Sequence, residues 1–180
     1  AHCNFHLRGA ESNRDEQFVR QLAAELNLPL EVEHFDVKSY MAQHKVSTEM
    51  ACRELRYAWF ETLKQRYSAQ AVAVAHHSDD AIETFFLNAA RGSGVQGLAA
   101  IKPRNGDVVR PMLDVGRYDI EEYLKKCGRT FVTDSTNQTI DFKRNKVRNV
   151  LVPMFWTVLP ESQTGLLRTL RDMRSSARLY

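Results

Sequence analysis

Apolar positions in the first half of the chain follow two alternating rhythms. The run "HCNFHL" at 2–7 reads as a strand. After Ser12, a candidate N-cap, Phe18, Leu22 and Leu26 recur at the steps of a helix. "LEVEHFDV" predicts a second strand with Val32, Phe35 and Val37 as core positions. "STEMACRELRYAWFETLKQRY" predicts a long helix with Met50, Leu55, Trp59 and Leu63 inward. "AVAVAH" at 71–76 is short and apolar up to its closing histidine, before a helix over 78–91. Apolar strands between helices belong to a parallel sheet covered on both faces, which predicts an α/β fold: an open, mainly parallel sheet with helices on each side.

Beyond Gly97 the texture changes. "VVRPML" reads as extended, "DVGRYDIEEYLKKCG" as a helix closed by Gly128, and "TFVTDSTN" as a strand and turn. Residues 143–154 and 163–180 are expected to be helical. In the last helix Leu166, Leu170, Met173 and Ala177 make an apolar stripe, and Arg168, Arg171, Arg174 and Arg178 a basic one. That basic stripe suits either a face turned to RNA or the stem of a longer helix.

A length of 180 residues with 43% hydrophobic content suits one domain with a sizeable core. No run of roughly 18 apolar residues is present, and the first residues lack the layout of a signal peptide, so a soluble, cytoplasmic protein is expected. Cys3, Cys52 and Cys127 are odd in number and far apart, with no C-x-x-C pair for zinc, a cluster or a redox disulfide. Charge divides unevenly: residues 1–90 carry 9 Lys/Arg against 13 Asp/Glu (net −4), and 91–180 carry 16 against 9 (net +7). A basic half suits a polyanion such as nucleic acid, or a solvated cationic face.

The densest chemistry lies in "AHHSDDAIETFFLNAARGSGVQGL". Asp80 and Glu83 are three apart and share one helix face, with His77 entering from the strand end. The same residues also suit a helix cap, with Ser78 or Asp79 at the N-cap or Asp80 and Glu83 as a capping-box-like pair. Binding of Mg²⁺ is a third use. "GSGVQG" matches the dinucleotide pattern G-x-G-x-x-G by letter, but it follows a helix where that pattern must open one, so a helix stop and tight loop are expected. "DFKRNKVRN" is a second constellation, basic and amide-rich, able to contact phosphates and sugar or base edges, or to form a solvated helix face.

Taken together, "HCNFHLRGAES", "STEMACRELRYAWF", the H-x-D-D-x-x-E-T and R-G-S-G-x-x-G-L elements, and "DSTNQTIDFKRNKVRN" resemble the catalytic domain of the tRNA(Ile)-lysidine synthetases, in the N-type ATP pyrophosphatase (PP-loop) superfamily. The resemblance implies an adenine nucleotide alpha hydrolase-like, Rossmann-like domain over 1–154, with 155–180 as a helical extension or the start of a linker helix. It implies a carbon–nitrogen ligase that uses ATP and Mg²⁺ to join free lysine to C2 of the wobble cytidine of tRNA(Ile) with a CAU anticodon. ATP adenylates the C2 carbonyl oxygen with loss of pyrophosphate, and the lysine ε-amine then expels AMP. Asp80 and Glu83 would bind and activate lysine, with His77 at the reacting centre and Asp79 as support or cap. Arg53, Arg56, Arg91 and Ser93 would line the ATP and phosphate site, and Arg110, Lys143, Arg144, Asn145, Arg148 and Asn149 would hold the anticodon stem-loop. No protein ligand to a metal is assigned in these residues, and a homodimer is one expected assembly. The family's S-G-G-x-D-S phosphate loop, with its Mg²⁺ ligand, appears nowhere here. It is expected upstream of Ala1, which would leave this chain alone inactive. The alternatives are another PP-loop tRNA-modifying enzyme and a catalytically silent RNA-binding fragment. Thiolating members carry C-x-x-C cysteines, and this sequence has none.

Overall fold

The computed structural model describes residues 1–139, 143–177 and 179, arranged as two compact units, Ala1–Val72 and Ala73–Tyr180. Within the first, β1 (His2–Asn4) pairs in parallel with β2 (Val32–His34), with Cys3 opposite Glu33. A parallel pair needs a crossover connection, and α1 (Ala10–Glu25) supplies it. Gly9, with φ +53°, precedes this helix as its N-cap. Ser12 therefore lies inside the first turn instead of capping it, and its hydroxyl accepts from the Arg8 amide at 3.2 Å.

The loop after β2 leads into α2 (Val37–His44), capped by Asp36, whose carboxylate accepts from the Ser39 amide at 3.0 Å. Ser47 caps α3 (Thr48–Arg66) in the same way. Val37, Ala51 and Leu63 are buried, and Phe35 stacks on Phe5 while meeting the Trp59 ring edge-on. Met50, expected inward, is exposed: the helix turns Ala51 inward, one position on. Asn4 is buried at the end of β1, where its side chain donates to Glu16 on α1 at 2.8 Å and accepts from the His6 amide. A buried amide bonded on both sides fixes the strand end against the crossover helix.

β3 (Val72–Ala73), where the first unit's residues end and the second's begin, is shorter than the apolar run that encodes it. It borders β5 (Val108–Val109), which pairs antiparallel with β4 (Arg104–Asn105). Asn105–Gly106 opens the turn between them, and Gly106 takes φ +57°, the left-handed region that glycine enters without a Cβ penalty. Helix α4 (Ser78–Ala89) follows, then α5 (Val95–Leu98) and α6 (Arg117–Lys126), which ends at Gly128 with φ +63°. No strand forms over 130–133. Asp134 instead caps a 3₁₀ turn, Ser135–Gln138, by accepting from the Thr136 amide.

The segment expected as one helix over 143–154 is α7 (Lys143–Lys146), a π-helical turn (Val147–Leu151) and α8 (Val152–Val158). Pro153, with no N–H to donate, sits just after the widened turn. Helix α9 (Ser162–Ser176) places Leu170, with no solvent exposure, in a core with Ala81, Ile82 and Leu113. Phe86, Trp156 and Leu166 pack around that core. Residues beyond 155 are thus part of the second unit's packing. Arg174, read as part of a basic stripe, is buried, and Arg178 lies outside the described residues.

Candidate active site

The backbone is extended at His77, the N-cap of α4, and the His77 amide donates to the Asp80 carboxylate at 3.0 Å. The cap is therefore His77, one residue before Ser78, and Asp80 is the third helical residue reaching back to it. One turn further, Glu83 shares that face and is only 3% exposed. An ionised carboxylate at such depth requires compensation. Two arginines supply it from the segment 61 and 65 residues downstream.

Arg148 grips Glu83 with two N–H groups, Nε to Oε1 at 2.6 Å and Nη2 to Oε2 at 3.1 Å. Arg144 spans the pair: its Nε donates to Glu83 Oε2 at 2.7 Å and its Nη2 to Asp80 Oδ1 at 3.0 Å. Both guanidiniums thus bind the carboxylates in the planar, forked manner that arginine favours. Burial alone would weaken the charge on Arg148, but Glu83 and then Asp80 outweigh it and raise its pKa.

His77 completes the cluster, with Nδ1 3.4 Å from Asp79 Oδ2 and Nε2 3.6 Å from Asp80 Oδ2. Contact with the Asp79 carboxylate raises its pKa above the usual 6.5, against the opposing effect of burial. Burial would raise Asp79, yet His77 and the Arg117 amide, which donates to Asp79 at 2.9 Å, hold it down at about 2. Asp79 thereby bridges the start of α4 to the start of α6.

The amides of "KRNKVRN" are held just as closely. Asn145 is buried and donates to the Thr136 carbonyl at 2.7 Å; Asn149 donates to the Asn137 carbonyl at 2.8 Å; and Arg148 Nη1 donates to Asn137 Oδ1 at 2.8 Å. The 3₁₀ turn thus anchors the stretch that carries both arginines, through Asn145, Arg148 and Asn149. Sequence reasoning did not pick out Asn137 or Arg117. The adjacency of "DSTN" to the basic stretch was the available signal for Asn137, and nothing in the sequence pointed to the Arg117 amide.

The other expected residues lie elsewhere. Lys143 and Lys146 are exposed. Arg110 donates to the Lys102 carbonyl at 2.7 Å. Arg91 is exposed after α4, and Ser93 backs onto Gly97, where an added Cβ would meet the Ser93 Cβ at 2.5 Å. In the first unit Arg53 lies over the Tyr57 ring and Arg56 over the Phe5 ring, at 5.0 and 5.3 Å. That unit also holds a cavity of about 420 Å³ at the carboxyl ends of β1 and β2, walled by Phe5, His6, Leu7, His34 and Phe35. Ligands of open α/β folds enter at such strand ends. Among the described residues, no helix is long and apolar enough to cross a membrane, and no group of three or more His, Cys, Asp or Glu is placed to hold a metal ion.

The family model for the PP-loop domain matches residues 1–155. The chain is 47% identical over 180 residues to a tRNA(Ile)-lysidine synthase of Bacteroides thetaiotaomicron, covering all of this chain and 42% of that protein. It is 35% identical over 174 residues to the tRNA(Ile)-lysidine synthase of Clostridium acetobutylicum, covering 96% of this chain and 38% of that one. The chain thus spans about two-fifths of the length of these curated relatives. Among solved structures, the U34-tRNA thiolase NcsA from Methanococcus maripaludis, with its [4Fe-4S] cluster, superposes with a TM-score of 0.73 over 96% of this chain and 61% of that one. At 12% identity that likeness establishes the fold, which is the α/β architecture expected from the sequence.

Proposed function

The chain belongs to the PP-loop domain family, and on that footing we propose that it carries the catalytic centre of an ATP-dependent tRNA(Ile)-lysidine synthase. The observation that carries the reading is the Asp80–Glu83 pair, set on one face of α4 at a strand exit and held by His77, Arg144 and Arg148. In this reading the protein joins lysine to C2 of the wobble cytidine of a CAU-anticodon tRNA. ATP converts the C2 oxygen into a leaving group, pyrophosphate departs, and the ε-amine of lysine displaces AMP.

That amine must shed a proton to be a nucleophile, and a carboxylate beside a histidine of raised pKa suits the task. Asp80 is the working carboxylate of the two. Glu83 has both oxygens engaged by arginine, whereas Asp80 meets arginine through Oδ1 alone, with Arg144, a side chain 38% exposed, at 3.0 Å and Arg148 at 3.7 Å, while its Oδ2 accepts from the His77 amide. An incoming ammonium takes the place of Arg144 on Asp80, and Glu83 keeps Arg148 aligned. Lys143 and Lys146, exposed beside this cluster, meet RNA phosphates, as does Asn149 at the same surface. Asn145, Arg144 and Arg148 build the site from within, because their donors are already committed to Thr136, Asp80 and Glu83. Arg110 and Arg91 with Ser93 extend the RNA- and nucleotide-facing surface.

ATP supplies the activating group, and the aromatic cavity of the first unit has the size for a purine; Arg56 of α3 lies against its Phe5 wall, and Arg53 three residues earlier on α3 joins it as a candidate for the phosphates. The described residues of this chain present no carboxylate cluster for the accompanying Mg²⁺. The test, in the full-length protein, is ATP-dependent transfer of labelled lysine to a tRNA(Ile) transcript with a CAU anticodon, beside a transcript carrying U34. Labelling of the C34 transcript alone is expected. Labelling of neither, with the RNA still bound, would leave the α4 cluster as a helix cap.

A further inference from the structure

Away from the α4 cluster and sharing no residue with it, the second unit contains a cavity of about 370 Å³ where the 99–106 segment meets the last turn of α9. Lys102, Arg104 and Arg174 line it, with Ala99 and Ala177 as apolar walls, and among the described residues no carboxylate lines it. Arg174 is 8% exposed, and its Nε–H is buried with no acceptor. A buried donor on a cation is costly to leave unpaired. Among the described residues its charged partner is Asp114, 3.4 Å from Nη1, which lies largely in solvent and also faces Arg171 at 3.9 Å.

Two neighbouring details favour an anion. The Ala177 carbonyl at the end of α9, which would repel negative charge, is occupied by the Gln96 side-chain amide at 2.7 Å. The Arg104 Nε donates to the Gly106 carbonyl at 2.9 Å, which pins its guanidinium against the hairpin turn at the cavity. Burial pulls the Arg174 pKa down and Asp114 only partly offsets it, so a second negative group would stabilise the guanidinium.

We propose that this cavity is a phosphate-binding site, with Arg174 as its buried floor and Lys102 and Arg104 as its rim. The shared chemistry is a phosphate oxygen accepting from arginine and lysine, supplied either by a phosphodiester of RNA or by free pyrophosphate. The inference rests on the cavity's own charge and burial, and stands whether or not lysine is the group transferred at α4.

The experiment follows the Arg174 Nε–H resonance in ¹⁵N-labelled protein, assigned with Arg174→Lys, during titration with inorganic pyrophosphate and, separately, with a short single-stranded oligoribonucleotide. The resonance shifts on titration. In the Lys102→Ala/Arg104→Ala variant, which replaces exposed side chains and keeps the fold, the apparent affinity falls about tenfold. For RNA, the salt slope also falls by about two. A shift with RNA alone identifies a phosphodiester site, and a shift with pyrophosphate alone a free-anion site. An unmoved resonance in both titrations, or equal affinity in the double variant, overturns the proposal.

Discussion

Arg148 holds Glu83 side-on, Nε to Oε1 at 2.6 Å and Nη2 to Oε2 at 3.1 Å, across 65 residues of chain. This contact joins α4 to the downstream turn, so it links the acidic half of the site to the fold's integrity. Replacing Glu83 with Gln puts a neutral amide between the two guanidiniums and leaves Asp80 as the carboxylate that faces both. The expected loss is roughly 2–3 kcal/mol, below the ~3–5 of a fully buried pair because the Arg148 side chain keeps 23% exposure. Urea unfolding checks this, and an unchanged midpoint would show that the pair contributes nothing net.

Protonation at the start of α4 sets a pH dependence on both sides. His77 has a folded pKa above 6.5, so its contribution to stability is complete below pH 6.5 and fades as pH rises through the folded value. Asp79 is held at about 2 against an ordinary 3.8, so its contribution is complete above pH 3.8 and fades as pH falls toward 2. The melting-temperature gap between the native protein and His77→Gln is therefore largest between about pH 4 and 6.5 and narrows as pH rises beyond the folded His77 pKa. A gap that widens with rising pH would contradict the assignment.

Asn145 is a positioning residue. Asn145→Ala removes its bond to the Thr136 carbonyl and leaves that buried site unfilled, at a cost of about 1–3 kcal/mol. If the amide's purpose is to aim Arg144 and Arg148, lysine transfer falls further than stability does, chiefly in kcat. Activity that follows only the folded fraction would show that the amide stabilises the fold without aiming the arginines.

Gly97 tests the loop that ends α4. An added Cβ there meets the Ser93 Cβ at 2.5 Å, so Gly97→Ala forces the 92–97 turn to shift, costing about 1–3 kcal/mol. Ser93→Gly in the same chain removes the obstructing atom and restores most of the loss. A double variant no more stable than Gly97→Ala would locate the strain elsewhere.

The helices of this fold were legible wherever apolar spacing and caps agreed. Ser47 opens α3 and Gly128 closes α6, as their side-chain chemistry requires. The α4 face was legible too, because a three-residue separation fixes Asp80 and Glu83 together on any helix. Their partners were not, since Arg144 and Arg148 arrive through a long-range contact that composition reports only as positive charge. The β4–β5 hairpin carried an Asn105–Gly106 signal, but two-residue strands with polar β4 side chains leave no alternation to notice. Phe131 and Val132 favour a strand by propensity, yet the segment has no described strand partner and stays irregular. Arg174 looked like one more cation on an exposed stripe, and only the packing of α9 reveals its burial.

The central claim, that Asp80 handles the lysine ammonium and not the activation of the RNA, is tested most directly by separating the two half-reactions in Asp80→Asn. In the full-length protein, pyrophosphate release from ATP with the C34 transcript is measured without lysine, and product formation is measured after lysine is added. The account predicts adenylation within about twofold of the native rate and lysine transfer reduced by at least ~10². Loss of both half-reactions together in a folded variant, or transfer at the native rate, would contradict it.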